Sequence, residues 1–383
     1  MTVLTLAKAA KTLLVQPVLP STNSKVVEHL AEFVELAKAA SAVIVETLQV
    51  NRQTPDAKYF IGSGKVEELA QLVKQRQVKQ VLFNCRLSPS QKRNLGKLLQ
   101  CAVIDRTELI LHIFALRART FEGKLQVELA QLQYAATQLV RGWTHLERQK
   151  GGIGLRGGPG ETQLEVDKRL IRNRIKNVRA RLDKVQQQRE LGRRARQRSQ
   201  TPTVSLVGYT NAGKSTLFNR LARADVYVAD QLFATLDPTL RRIHLPARGT
   251  LILADTVGFI RDLPHDLVNA FHATLEETLQ ADLLLHVIDT HSASREQYQA
   301  DVQHVLQQIG ADQVPQLLVF NKLDLLPEQK PRIGRDDQGK PIHVWLSAST
   351  GAGIDLLQQA LLELLPAPTT AADGEESDDE DSA

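Results

Sequence analysis

The sequence predicts an α/β protein in which a larger, mostly parallel-sheet domain is preceded by a smaller α/β domain and an antiparallel helical hairpin. Three observations carry this reading. Short runs rich in Val, Ile and Leu alternate with helical stretches over residues 1–119 and again over 201–366, the signature of parallel strands joined by helical crossovers. Between them, Leu125, Leu129, Leu132, Ala136, Leu139, Trp143 and Leu146 step by fours and threes, a heptad seam. Finally, Gly208-Tyr-Thr-Asn-Ala-Gly-Lys-Ser215 matches G-x-x-x-x-G-K-[ST] without a gap, between a β-branched apolar run and a helical one.

In chain order, Leu13–Val18 reads as a strand, and Val26, Val27, Leu30, Phe33, Val34 and Ala37 mark one face of a helix over 25–40. Ala42–Leu48 is a second strand. Helix is predicted over 67–75, strand over 81–83, and helix over 88–99 with Ser88 as N-cap and Pro89 in first position. Val103-Ile104 is a short strand before another helix. Between strand and helix, Tyr59-Phe-Ile-Gly-Ser-Gly-Lys65 either cradles a phosphate or simply makes a tight connection. Arg52 and Lys65 are the candidate anion or RNA contacts there.

The second arm of the hairpin shows Leu164, Ile171, Ile175, Val178, Leu182 and Val185 at sevens, fours and threes. Gly151-Gly-Ile-Gly-Leu-Arg-Gly-Gly-Pro-Gly160 separates the arms and is too rich in glycine to be helical. The hairpin therefore occupies 120–200, its last stretch, 192–202, reading as a linker. The opposite face of the second arm bears Lys168, Arg169, Arg172, Arg174, Lys176, Arg179 and Arg181, a one-sided charge suited to a polyanion.

In the nucleotide domain, strands are expected at 203–207, 240–245, 250–254, 283–288, 316–320 and 342–346, with a closing helix over 354–364. Residues 240–245 and 250–254 are too close for a crossover and should pair antiparallel; the rest should be parallel. Strand, glycine loop and helix form a nest of N–H groups at a positive helix end. Gly208 and Gly213 permit the turn, while Tyr209, Thr210, Asn211 and Ala212 supply the loop backbone. Lys214 reaches the β/γ-phosphates, and the Ser215 hydroxyl is placed for Mg²⁺.

Three downstream stretches name the base as guanine. Asp255-Thr256-Val257-Gly258 ends an apolar run, so Asp255 can support Mg²⁺ through water and Gly258 can aim its N–H at a γ-phosphate. In Asn321-Lys322-Leu323-Asp324, the carboxylate can accept two hydrogen bonds from guanine, a pattern adenine does not offer. Ser347-Ala348-Ser349 can present a backbone N–H to the guanine O6. In this order, each after a predicted strand, they indicate a GTP/GDP site.

Composition narrows the partners. With 42% apolar and 24% charged residues the chain has the balance of a globular protein. No apolar run approaches the roughly 18–20 residues of a membrane span, and no signal-peptide pattern is read at the N-terminus. Cys85 and Cys101 lack metal-ligand spacing, so a reducing, cytoplasmic setting is expected. The net charge of +5 becomes +12 once residues 373–383, with seven acids and no base, are set aside. Thirteen Lys/Arg between Lys168 and Arg198 face only Asp183 and Glu190. A basic body points to nucleic acid, whereas the acidic tail over 367–383 has nothing to pack and should be disordered.

These features resemble the HflX-type ribosome-associated GTPases of the Obg–HflX group. The resemblance rests on the nucleotide signatures, on Phe233-Ala-Thr-Leu-Asp-Pro-Thr239 and on Asp255-Thr-Val-Gly-Phe-Ile-Arg-Asp-Leu-Pro264. Gly160-Glu-Thr-Gln-Leu-Glu165, Gln126-Val-Glu-Leu-Ala-Gln-Leu-Gln-Tyr134, Tyr59–Lys65 and Asp105-Arg-Thr-Glu-Leu-Ile-Leu111 extend it over residues 12–366. Departures are the Arg-Gly-Gly-Pro-Gly tip with one extra glycine, Ala136-Thr137 where proline is common, and Lys168 in place of arginine.

The resemblance implies a Ras-like P-loop GTPase domain, binding to the large (50S) ribosomal subunit through rRNA, and in some members splitting of stalled or stress-arrested ribosomes. It places Phe233, Ala234, Thr235, Leu236 and Asp237 in switch I, with Thr235 as second Mg²⁺ ligand beside Ser215. Lys214, Thr235 and Gly258 then become the catalytic set, acting by positioning and charge. Phe259 stands where Ras-like enzymes carry a water-orienting glutamine, so turnover should be slow until a partner completes the site. Asn211 either holds K⁺ beside the phosphates or is a plain loop residue. A monomer is expected. The rival reading is a GTP-dependent RNA-binding or ribosome-assembly scaffold with incidental hydrolysis.

Overall fold

A computed structural model describes residues 9–20, 25–142, 159–198, 201–222, 232–233, 235–246, 249–261 and 277–365. Trp143, Leu146, Ala234, the tip over 151–158 with Arg156, and the acidic tail lie outside the described residues.

The first sheet is built from β1 (Lys11–Val18), β2 (Val43–Asn51), β3 (Gln80–Phe83) and β4 (Ala102–Asp105), in the order β2-β1-β3-β4. All its pairings are parallel. Helices α1 (Val26–Ala39), α2 (Ser63–Arg76) and α3 (Pro89–Leu99) make the crossovers, and α4 (Arg106–Arg117) follows β4. Leu13, Val15, Val81 and Phe83 pack with Val66, Leu69 and Leu95 of α2 and α3 on one face. On the other face Leu14 and Leu82 meet Phe33 of α1 and Ile110 of α4. Both faces are covered, which is why these strands read as continuous apolar runs. Ser88 caps α3 in a reciprocal box: its hydroxyl accepts from the Gln91 amide at 3.2 Å, and its own amide donates to Gln91 Oε1 at 2.9 Å.

The hairpin pairs α5 (Phe121–Gly142) with α6 (Pro159–Arg198). The heptad positions do meet: Leu125, Leu129 and Leu132 pack against Ile175, Val178 and Leu182. The basic positions Arg169, Arg172 and Arg179 are exposed. One expectation fails here. The stretch read as a linker from residue 192 is helical as far as Arg198, because its Arg, Gln and Ala residues are good helix formers.

The second sheet has seven strands in the order β10-β11-β9-β8-β5-β7-β6. They are β5 (Thr203–Val207), β6 (Thr239–Leu245), β7 (Gly249–Asp255), β8 (Leu283–Asp289), β9 (Gln316–Asn321), β10 (Arg332–Arg335) and β11 (Pro341–Trp345). Helices α7 (Lys214–Ala222), α8 (Arg295–Ile309) and α9 (Ile354–Leu364) complete the domain. The β6–β7 pair is antiparallel as expected. The other predicted strands pair in parallel, also as expected; the sequence reading missed β10, an antiparallel edge strand beside β11. Its sequence, Arg-Ile-Gly-Arg, offers one apolar residue, and short charged edges hide from hydrophobic patterning. Trp345 stacks on Phe320 at 4.9 Å between centroids and carries the Arg332 guanidinium 4.2 Å above its ring. The face is thereby closed by a ladder of planar groups. Gly334 is required beside it, since a Cβ there would sit 2.8 Å from His343 Nδ1.

The two sheet units share a core. Phe33, Ile110 and Phe114 from the first belong to one buried cluster with Tyr209, Phe233, Val257 and Phe259 of the second. The carboxyl ends of β1, β3 and β4 thus lie against the loops of the nucleotide domain. Among the described residues no helix is long and apolar enough to cross a membrane.

Candidate functional site

The glycine loop leaves β5 and enters α7 through two left-handed glycines. Gly208 has φ +149°, and a side chain there would run into the Val287 carbonyl; Gly213 has φ +92°, with Asn321 Nδ2 in the way. Asn211 also adopts a positive φ, +61°, which asparagine tolerates. Lys214 is 6% exposed. Its Nζ donates to the carbonyls of Gly208 at 3.0 Å and Tyr209 at 2.8 Å. Burial lowers its pKa to about 8, partly opposed by Asp255.

Three oxygens converge next to it. The Ser215 and Thr235 hydroxyls each donate to Asp255 Oδ2 at 2.8 Å and lie 2.8 Å from one another. The other oxygen, Asp255 Oδ1, is buried without a partner. Burial raises the carboxyl's pKa, and the hydroxyls and Lys214 pull it back. Two hydroxyls and an orphaned carboxylate oxygen are the donor set of a small hard cation that keeps waters and phosphate oxygens. These residues fit Mg²⁺.

The base-reading residues are brought together around Asn321. Its Nδ2 donates to the Ala212 carbonyl and its Oδ1 accepts from the Ala348 amide, both at 2.9 Å. Asn321 therefore braces the glycine loop against the Ser347–Ser349 loop. Of the backbone amides in that loop, the one of Ala348 is engaged by this brace. Asp324 is exposed on a single 3-10 turn, Leu323–Leu325, and accepts from Ser347 Oγ at 2.5 Å. Lys322, at φ +64°, pairs with Asp289 at 2.8 Å. Ser349 accepts from Arg220 through its carbonyl.

Several candidates face the core instead. Thr256 is fully buried and donates to the Leu206 carbonyl at 2.6 Å, tying β7 to β5. Phe233 lies edge-on to Phe114, ring centroids 4.7 Å apart, while Leu236 and Val257 are buried in the same cluster. Asp237 turns away from the loop to the start of α5, accepting from the amides of Arg119 at 2.7 Å and Thr120 at 2.9 Å. In the other suspected anion turn, Arg52 lies over Gly62, 3.0 Å from where a Cβ would stand, and Lys65 pairs with Glu68 at 2.6 Å.

Sequence reasoning missed the contacts from the first sheet unit. The Tyr209 hydroxyl donates to Glu32 of α1 and accepts from the Arg261 amide at 3.0 Å, and its ring stacks on Tyr298 at 4.0 Å. Arg106 pairs with Glu32 and donates to the Arg261 carbonyl at 3.1 Å. His286, 2% exposed on β8, was missed as well; burial, then Lys214, lowers its pKa to about 4. Nothing local marks these residues, because Glu32 and Arg106 lie far from the loop in sequence.

Similarity to known proteins follows the same architecture. Residues 27–115 match the profile described as GTP-binding GTPase N-terminal, 117–196 the GTP-binding GTPase middle region, and 203–322 the 50S ribosome-binding GTPase. The GTPase HflX of Escherichia coli K12 is 60% identical over 344 residues, covering 90% of this chain and 80% of that protein. The Magnetococcus marinus GTPase HflX is 49% identical over 335 residues, 87% of this chain and 76% of the other. Among solved structures, the SsGBP–GDP complex aligns over 92% of this chain and 98% of its own, with TM-score 0.51 at 23% identity, a likeness of fold.

Proposed function

This chain belongs to the HflX family of P-loop GTPases, which bind and hydrolyse GTP, and from that premise we propose that it is a nucleotide-controlled factor of the large ribosomal subunit. The observation that carries the reading is the exposed, one-sided basic face of α6, set on a hairpin whose first helix begins at switch I. Phosphates of rRNA are the polyanion it would meet, and the family profile matched by residues 203–322 is described as 50S ribosome-binding. Splitting of stalled ribosomes is the finer function this reading extends to, with the protein acting as a monomer in the cytoplasm.

Within the reaction, Lys214 would neutralise the β/γ-phosphates, and Gly258 would offer its amide to the γ-phosphate. Ser215 and Thr235 would hold Mg²⁺ and Asp255 would support it through water; the ion, when bound, neutralises phosphate charge during in-line attack by water. Phe259 is 1% exposed and packed in the shared core, so its ring takes no part in orienting that water. A partner group must complete the site.

The test is the GTPase rate with and without large subunits. Basal turnover on the order of 10⁻³ s⁻¹, the scale of an unstimulated small GTPase, should rise markedly when subunits are added. A fast basal rate indifferent to subunits would sink the partner-completed mechanism. Replacing K⁺ by Na⁺ in the same assay tests Asn211: a loss of rate assigns it a K⁺ ligand role.

A further inference from the structure

Switch II, the stretch after Asp255, rests directly on the glycine loop. The Phe259 amide donates to the Gly208 carbonyl at 3.1 Å, and the Thr210 amide donates to the Phe259 carbonyl at 2.8 Å, making a parallel bridge between Tyr209 and Phe259. Gly258 is pressed in so far that a Cβ there would lie 3.0 Å from Lys214 Nζ and 2.8 Å from Thr210 Cγ2. The gap between Gly258 and the Lys214 ammonium thus does not admit even a methyl group without strain, so a phosphoryl group held by both the ammonium and the Gly258 amide would push this stretch away. GDP makes no such demand. Accepting GTP therefore requires this stretch to lift from the loop.

What opposes lifting comes from the first sheet unit. Arg261, three residues after Gly258, is held at both ends of its peptide groups: its amide by the Tyr209 hydroxyl, its carbonyl by Arg106. The Tyr209 hydroxyl and Arg106 meet on Glu32. Arg106 is fixed in turn, its NH1 donating to Asn84 Oδ1 at 2.7 Å, and Asn84 donating to Gln16 Oε1 at 2.6 Å. The Arg106 and Glu32 side chains are 5% and 9% exposed, so water does not compete for these bonds. The chain Gln16–Asn84–Arg106–Glu32–Tyr209 links the carboxyl end of one sheet to the glycine loop of the other.

We infer that Glu32 and Arg106 are specificity-determining residues for the nucleotide: acting through Tyr209, they latch switch II on the glycine loop and favour GDP over GTP. The inference rests on the reading of this loop as the guanine-nucleotide site. It makes the first sheet unit a sensor of the third phosphate, since GTP must break the same bonds that dock that unit.

Equilibrium binding of GDP and of a non-hydrolysable GTP analogue, both with Mg²⁺, tests it on the full chain. Glu32→Gln keeps the shape and an acceptor oxygen but removes the charge, and Arg106→Lys keeps the charge but removes the forked donors that reach Glu32 and the Arg261 carbonyl. Each should leave GDP affinity within about two-fold and tighten the analogue about ten-fold, equivalent to about 1.4 kcal/mol. The double variant should gain no more than the better single one, because both break one latch. A purely structural role would move both nucleotides together; that result, or an unchanged ratio, overturns the latch. If Glu32→Gln fails to fold, Arg106→Lys decides alone. If the parent binds neither nucleotide, the site assignment itself falls, a failure distinct from that of the latch.

Discussion

Asp237 anchors Thr120, the residue whose hydroxyl caps α5 by accepting from the Gly123 amide at 2.9 Å. The Asp237 carboxylate accepts the Thr120 amide at 2.9 Å and the Thr120 hydroxyl at 2.5 Å, across 117 residues of sequence. Gly123 makes room, because a Cβ there would collide with the Asp237 carboxylate. Thr235, two residues earlier, lies with Ser215 and Asp255 at the oxygen cluster that fits Mg²⁺. The nucleotide site and the first turn of the hairpin are thus separated by a single residue, Leu236.

Asp237→Ala should cost about 1.5–3 kcal/mol, the usual scale of hydrogen bonds to a charged group, seen as a lower thermal midpoint. Nucleotide affinity should hold within a few-fold, while the dependence of subunit binding on GTP over GDP should shrink. Unchanged nucleotide dependence of subunit binding would show that the anchor is only structural.

Guanine selectivity should rest on Asp324. Its carboxylate is exposed and oriented by Ser347, free to accept two bonds from guanine. Asp324→Asn should exchange guanine for xanthine, with discrimination approaching about 10⁴-fold in favourable cases. Competition of GTP, XTP and ATP against a labelled guanine nucleotide reads this directly, and equal competition by ATP against the parent would refute it.

His286 gives the fold an acid-side weakness. Its folded pKa of about 4 lies below the ordinary 6.5, so the unfolded chain takes up the proton first. The stability involved is complete above pH 6.5 and is lost as pH falls towards 4, up to about 3 kcal/mol. His286→Leu should flatten the fall in unfolding midpoint between these pH values relative to the parent. Parallel curves for the two proteins would show that His286 does not contribute.

Much of this was legible in the sequence because its signals are local. The glycine loop, Asp255, Asn321 and Asp324 each end a strand whose apolar run announces it, and Ser88-Pro89 declares a helix start that the structure keeps. The hairpin seam was legible through its period. What escaped was non-local or unpatterned. The β10 strand carries one apolar residue among arginines and glycine. Glu32 reads as one more solvated helix acid, and only the docking of α1 on the glycine loop turns it into the partner of Tyr209 and Arg106. Asp237 likewise reads as a switch I residue, and its hold on Thr120 appears only once α5 lies beside it.

The ribosome-facing surface should be the basic side of α6 rather than the nucleotide domain. Not every base on that helix is available: Arg174 pairs with Glu128 at 2.8 Å, and Arg181 lies 5.1 Å over the Phe121 ring. Both hold the hairpin together. Arg169, Arg172 and Arg179 are exposed along the same helix, and the apolar seam that fixes α6 lies at Ile175, Val178 and Leu182. Changing these three arginines to Glu should therefore spare the fold and leave GTP affinity unaltered. Each lost phosphate contact should lower the salt slope of affinity by about 0.7–0.9, so the triple variant should bind large subunits far more weakly and with less dependence on salt. Arg174→Glu should instead lower the unfolding midpoint through the broken pair. Co-sedimentation with large subunits in a non-hydrolysable GTP analogue, at two salt concentrations, separates these effects. If the triple variant pellets with subunits as the parent does, phosphate contact lies elsewhere and the hairpin loses its assignment.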